Sequence, residues 1–371
     1  MKQEIKPLTS FRGIAAFMVL IYHVRMLNGW TFPLDNYTSI VSRGYLWVDF
    51  FFVLSGFILA YVYGPTFNGA FRRADYLDFL RRRLLRIYPL HLATLLLFVP
   101  LVAMDLVQGD AGEAPLTSAV TFVHNLFLVQ GWHVHDALSW NRPSWSISAE
   151  WAAYLLFPLF FFAVYRTRLL LAGAFVGLGL ACLYVMMLLK RTLDIHYDYG
   201  VLRCFAGFCL GILVYRAYEG LRGGRGDGGG GGAPTIVGGD GFCLLVIALI
   251  PVLLHAPVHD IWLLPAFALL VLGAALNRGA VKRALEAPVL YRLGLISYSL
   301  YMTHWFVLAV ALRLRDALGG GEPGGALIAG LMVAALAATV GLSVVTYRYI
   351  EQPFRRWPWR RPRRRAAVPH S

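Results

Sequence analysis

The chain has 371 residues, 58% hydrophobic, 14% aromatic and only 15% charged. A soluble domain could not cover so much apolar surface, so the composition points to an all-α polytopic transmembrane bundle and excludes a soluble globular enzyme. The net charge of +14 would suit nucleic acid, but the basic residues sit in short loops and a tail with no aromatic-interleaved soluble module, so membrane lipids rather than nucleic acid are the expected partners.

Runs of the roughly 17 to 25 apolar residues needed to cross a bilayer are expected near residues 8–27, 44–63, 84–104, 147–165, 168–189, 199–216, 241–255, 258–276, 289–312 and 325–346, about ten spans. The first, preceded by MKQEIKPL, has no small-residue cleavage site after it and reads as an uncleaved span. The shorter run Ser118–Gln130, with His124 and Asn125 inside it, reads as re-entrant or interfacial. Lys and Arg concentrate in alternate loops, and the tail RRWPWRRPRRR falls on the same side as Lys2 and Lys6, which predicts both termini in the cytoplasm. The expected organisation is one membrane domain over 1–354, a flexible Gly-rich cytoplasmic loop within it at 222–240, and a basic cytoplasmic tail over 355–371. Cys182, Cys204, Cys209 and Cys243 lie in apolar runs without ligand-like pairing and are expected to be buried thiols. No metal is expected: the HVHD stretch (His133, His135, Asp136) lacks a third spaced ligand cluster and reads as an exposed loop. No repeat of 20 to 50 residues is visible by inspection.

Ionisable side chains inside spans are rare and usually functional, because hydrocarbon disfavours charge. Here they fall at two depths. Arg12 and His23 share the first span but lie roughly 16 Å apart along a helix rising about 1.5 Å per residue, so they serve different levels. At the inner level Arg12 is joined by Arg82, Arg83 and Arg86 of RRRLLR, whose i, i+3 and i, i+4 spacings let three guanidinium groups share a helix face. Clustered guanidinium forks match phosphate oxygens, whereas Arg72, Arg73 and Arg81 read as headgroup anchors. At the outer level three spans each bring a titratable group, His23, Asp49 and Glu150, with His304 somewhat deeper. An imidazole beside a carboxylate suits general-base chemistry, which nominates His23 with Asp49 or Glu150. Ser55 and Gly56 leave room inside the second span for another backbone or a thin ligand. A donor with phosphates at one end, a slender arm and a reactive group at the other fits this spacing, and acyl-coenzyme A has that shape. The rival expectation is a proton-coupled transporter or flippase that uses the same His, Asp and Glu as a relay.

The words FRGIAAFMVLIYH, GYLWVDFFFVLSGF, RRRLLRIYPL, PSWSISAEWAAYLLFP, GLISYSLYMTHW and YRYIEQPF, in this order from Phe11 to Phe354, resemble the bacterial acyltransferase-3 family of integral-membrane O-acyltransferases. These enzymes decorate cell-surface and exported glycans, and some relatives acylate macrolide sugars. The resemblance implies that Arg12, Arg82, Arg83 and Arg86 hold the coenzyme of an acyl-CoA donor, acetyl-CoA foremost, and that His23 is the catalytic histidine. It marks Asp49, Ser55, Gly56, Glu150, His304 and Glu351 as family positions, with Glu351 bracing the arginines. It further implies a glycan or glycolipid acceptor and residence in the bacterial inner membrane. Two departures stand out: Thr9 where many members carry Asp, and Trp305–Phe306 where a Pro is common, which weakens the case for His304. Direct transfer is the simpler expectation, since none of Ser55, Ser144 and Ser146 is singled out as a nucleophile; no oxyanion donor is evident.

Overall fold

Leucine-, alanine- and valine-rich runs with few polar breaks leave the backbone no stable option in an apolar medium but to bond to itself, as a helix does. The computed structural model, which describes residues 3–107, 116–223, 236–319 and 324–356, is all-helical, with no strand among the described residues. Six helices have the length and composition to cross a bilayer. They are α1 (Lys6–Val24), α2 (Trp47–Phe67), α3 (Arg73–Val107), α7 (Leu169–Lys190), α8 (Gly200–Gly223) and α14 (Gly325–Thr346). Two further crossings are broken helices, each bent by 65°: α5 (Trp145–Leu155) into α6 (Phe157–Phe161), and α12 (Pro288–Leu295) into α13 (Ser297–Gly319). The chain is thus an integral multi-pass membrane protein with six to eight crossings by length and composition.

The expected seventh and eighth spans coincide with two shorter apolar helices, α9 (Asp240–His255) and α10 (Leu263–Leu276). At 16 and 14 residues they reach only about 24 and 21 Å, short of a hydrocarbon core of about 30 Å. The run at Ser118–Gln130 forms the short helix α4 (Ala119–Leu126), capped by Ser118. Helices α11 (Ala280–Leu285) and α15 (Gln352–Arg355) complete the order. The third span begins well before the expected residue 84, so the arginines of RRRLLR lie inside α3 and not at its start. Most of the Gly-rich stretch and of the basic tail lie outside the described residues.

The helices sort into layers by what covers them. α2 and α8 form the centre, and their crossing is close because both carry glycine where they meet. A Cβ on Gly56 would lie 2.0 Å from the Phe208 carbonyl oxygen, and one on Gly211 the same distance from that of Val53. Of the two expected uses of Gly56, another backbone or a thin ligand, the structure contains the first: it serves backbone packing between α2 and α8. A second close crossing joins α1 to α12, where a Cβ on Gly294 would meet the Thr9 carbonyl oxygen at 2.0 Å. By contrast α7 and α14 are apolar all round and only 17% buried, which is how a helix facing lipid reads. Cys204, Cys209 and Cys243 are buried free thiols as expected, but Cys182, on peripheral α7, is exposed.

Candidate active site

Two cavities lie between these helices. One, called inner because the expected topology puts Arg12 on the cytoplasmic side, is about 110 Å³ and collects Arg12 from α1, Ser55 from α2, Arg83 and Arg86 from α3, Glu150 from α5 and Ser297 from α13; the other is called outer. The i, i+3 spacing does put Arg83 and Arg86 on one face, but Arg82 turns away: it is exposed and donates to Asp78, one turn earlier, at 2.8 Å. Arg82 is thereby removed from the expected phosphate cluster. Arg83 donates to the Tyr63 hydroxyl at 3.0 Å and lies over that ring, while its Nε is buried without a partner. Arg12 sits in the field of like-charged Arg86 and Arg355, with Glu351 and Glu150 opposing them. Glu351, 2% exposed, accepts from Ser299 at 3.0 Å and from Arg355 at 3.2 Å. It thus anchors the inner end of the last crossing beside the arginines.

The outer cavity, about 310 Å³, holds His23, Tyr22 and Trp30 beside Asp194, His196 and Arg203. The Nδ1 of His23 lies 2.9 Å from the Val19 carbonyl oxygen. A carbonyl only accepts, so Nδ1 carries the proton and Nε2 keeps its lone pair, the state a general base needs. The ring is packed edge-on against Trp305 at 5.4 Å and lies 4.9 Å from that of His304. His304 is fully buried; its Nδ1 donates to the Tyr301 carbonyl at 2.6 Å and its Nε2 has no protein partner. Trp30, in the left-handed backbone region at φ 64° and 43% exposed, stands at the mouth. There Arg25 donates through Nε and Nη2 to the same Asp35 oxygen, Oδ2, at 3.2 and 2.9 Å, which secures the turn that carries it.

The expected pairing of His23 with Asp49 or Glu150 is not what the structure contains. Asp49 places both carboxylate oxygens on Arg203, at 2.9 and 2.7 Å, and both side chains are fully buried. Glu150 lies in the inner cavity, where the Ser55 hydroxyl donates to it. The carboxylate in the field of His23 is instead Asp194, in the loop between α7 and α8. Burial alone would raise the Asp194 carboxyl, but the hydrogen bond and charge of His196, with Arg203 behind them, hold it below the usual carboxylate range. The Nε2 of His196 lies 2.8 Å from Asp194, and the Tyr22 hydroxyl approaches it at 3.4 Å.

Arg203 is the residue that sequence reasoning missed. Its guanidinium reaches from Asp49 to the backbone oxygens of Ile195 (3.3 Å) and Tyr45 (3.1 Å) and lies over the Trp145 ring. One buried cation thus ties α2 and α8 to the loop bearing Asp194 and His196. The signal is present in the sequence, since Arg203, unlike Arg216 at the end of the same apolar run, lies inside it and needs a partner as much as Asp49 does. In the HVHD stretch, His135 pairs with His124 at 2.8 Å and His133 bonds the Asp198 carbonyl.

The profile of a family described as an acyltransferase domain matches residues 7–348. The chain belongs to the acyltransferase-3 family. Among relatives, it is 27% identical to the acyltransferase MdmB of Streptomyces mycarofaciens, over 96% of this chain and 93% of that one. It is also 27% identical to the O-acetyltransferase OatA of Staphylococcus aureus, over 41% of this chain but only 24% of OatA. No solved structure matches it. The two cavities therefore belong to an acyltransferase built within a membrane bundle.

Proposed function

We propose that the protein is an O-acyltransferase of the bacterial inner membrane with both termini in the cytoplasm, the short helices α9 and α10 completing ten crossings where the bilayer thins around them, and that it moves an acetyl group from acetyl-CoA to a hydroxyl of a cell-surface or exported glycan. The observation that carries this reading is the placement of Arg12 and His23 on one helix, α1, in two abutting cavities, with Arg83 and Arg86 of α3 beside Arg12. The inner cavity takes the anionic end of the donor on Arg12, Arg83 and Arg86, whose planar forks suit phosphate. The outer cavity takes the acceptor, and His23 Nε2 removes the proton of its hydroxyl as that oxygen attacks the thioester carbonyl. Val19 fixes the tautomer of His23, while Asp194 supplies the negative field that favours the imidazolium once formed. Arg203 and Asp49 hold the floor of the acceptor site and take no proton. Family membership and the O-acetyl activity in the name of OatA support the reaction class.

Full-length protein in detergent or proteoliposomes, supplied with acetyl-CoA and a polysaccharide acceptor, should release CoA only when the acceptor is present, with mass spectrometry locating acetyl esters on the sugar. His23→Ala should bind CoA with unchanged affinity and lose transfer. Normal transfer by His23→Ala would refute the base assignment, and acceptor movement across the bilayer without thioester consumption would refute the enzyme.

A further inference from the structure

The two cavities are divided by a wall. Val48 and Tyr301 line both of them, and both are buried. A thioester held from the inner side must meet an acceptor held on the outer side here. The Tyr301 hydroxyl lies 2.7 Å from Ser146 Oγ and 3.0 Å from the Pro143 carbonyl oxygen, and Ser146 Oγ lies 3.1 Å from that same oxygen. Ser146 lines the inner cavity and Pro143 the outer one, so this triangle spans the wall.

The triangle contains two O–H donors and a single carbonyl. One hydroxyl suffices for Pro143, so the other proton can turn to a new oxygen without leaving a buried group unsatisfied, and the cost of stranding a polar group is avoided. Tyr301 is also tied to the base. Its carbonyl accepts from His304 Nδ1, and the His304 ring lies against His23.

We infer that the Tyr301 hydroxyl, backed by Ser146, is the donor that receives the oxyanion of the tetrahedral intermediate. This rests on the acyl-CoA reading above. The acceptor oxygen bonds to the thioester carbon, its proton passes to His23 Nε2, and the carbonyl electron pair moves onto the oxygen facing Tyr301. Collapse restores the carbonyl, breaks the C–S bond and expels the CoA thiolate, which takes the proton back from His23. A preorganised donor of this kind contributes about 10²- to 10³-fold in turnover.

Two CoA thioethers test the inference on the purified full-length protein by calorimetry. Trifluoroacetonyl-CoA presents a hydrated, tetrahedral carbonyl, and S-ethyl-CoA has no carbonyl. The wild type should prefer the ketone by tenfold or more. Tyr301→Phe, which keeps the ring and the wall, should lose that preference while holding S-ethyl-CoA within twofold. Ser146→Ala should weaken the preference by a smaller factor, and it decides the matter should Tyr301→Phe fail to fold. A preference unchanged in either variant that folds, absent in the wild type, or lost together with S-ethyl-CoA affinity overturns the inference. Wild-type protein that binds neither thioether instead overturns the acyl-CoA reading itself.

Discussion

Removing the charge of Asp49 tests what the buried pair does. In Asp49→Asn the side chain keeps its shape, but Arg203 is left as a cation with no exposed surface and no counter-ion in contact. At 2.7 Å, the direct attraction lost is about 6 kcal/mol at an effective dielectric constant near 20. The bonds from Arg203 to Ile195 and Tyr45 survive and offset part of it. A net destabilisation of about 3 to 5 kcal/mol is expected, the usual cost of orphaning one buried partner. The double variant Asp49→Leu/Arg203→Met removes both charges and should recover most of that stability, because neither ion then has to be desolvated. It should not recover transfer, because the loop bearing Asp194 and His196 has lost its tether through Ile195. Unfolding of the detergent-solubilised protein followed by tryptophan fluorescence, with transfer measured in parallel, separates the two effects. A single variant as stable as the wild type, or a double variant with full transfer, would refute the reasoning.

Because Arg82 is exposed and paired with Asp78, Arg82→Ala should leave CoA affinity within twofold, whereas Arg83→Ala or Arg86→Ala should weaken it about 10- to 100-fold, the range for charge-assisted hydrogen bonds; calorimetric titration with CoA checks both. Acid should act on the outer cavity through Asp194. Its carboxyl is held below its unfolded value near 3.9, so its contribution to stability is present above that value and lost as pH falls through the lower, folded one. Asp194→Asn should therefore flatten the acid limb of a stability profile taken between about pH 5 and 2 while leaving the neutral region parallel to the wild type.

Much of the bundle is legible in the sequence because a crossing demands a long apolar run and nothing else of comparable length reads that way. The two breaks, at Leu156 and Ile296, where the helices bend by 65°, differ in legibility: Pro158 in the first turn of α6 marks the first, because its ring cannot continue the preceding helix, whereas Ile296 is an ordinary apolar residue within its run. Arg83 and Arg86 could be grouped because helical spacing is a local property, and Arg12 joins them by its depth in the first span. The same spacing could not exclude Arg82, whose fate depends on Asp78 competing for it. The partner of Asp49 lies 154 positions away, and depth alone could not choose between Arg203 and His23. Asp194 and His196 come from a connecting loop, where no periodicity marks which way a side chain points.

The glycine contact between α1 and α12 has one more implication. With Gly294 pressed onto the Thr9 carbonyl, α1 can neither slide nor roll without a backbone clash, so the interval from Arg12 to His23 works as a gauge of fixed length. One residue inserted within it would swing the imidazole about 100° around the helix and strand it against a neighbouring wall. Exchanging one apolar side chain in this stretch for another of similar bulk should therefore preserve transfer, whereas lengthening or shortening the segment by one residue should abolish it.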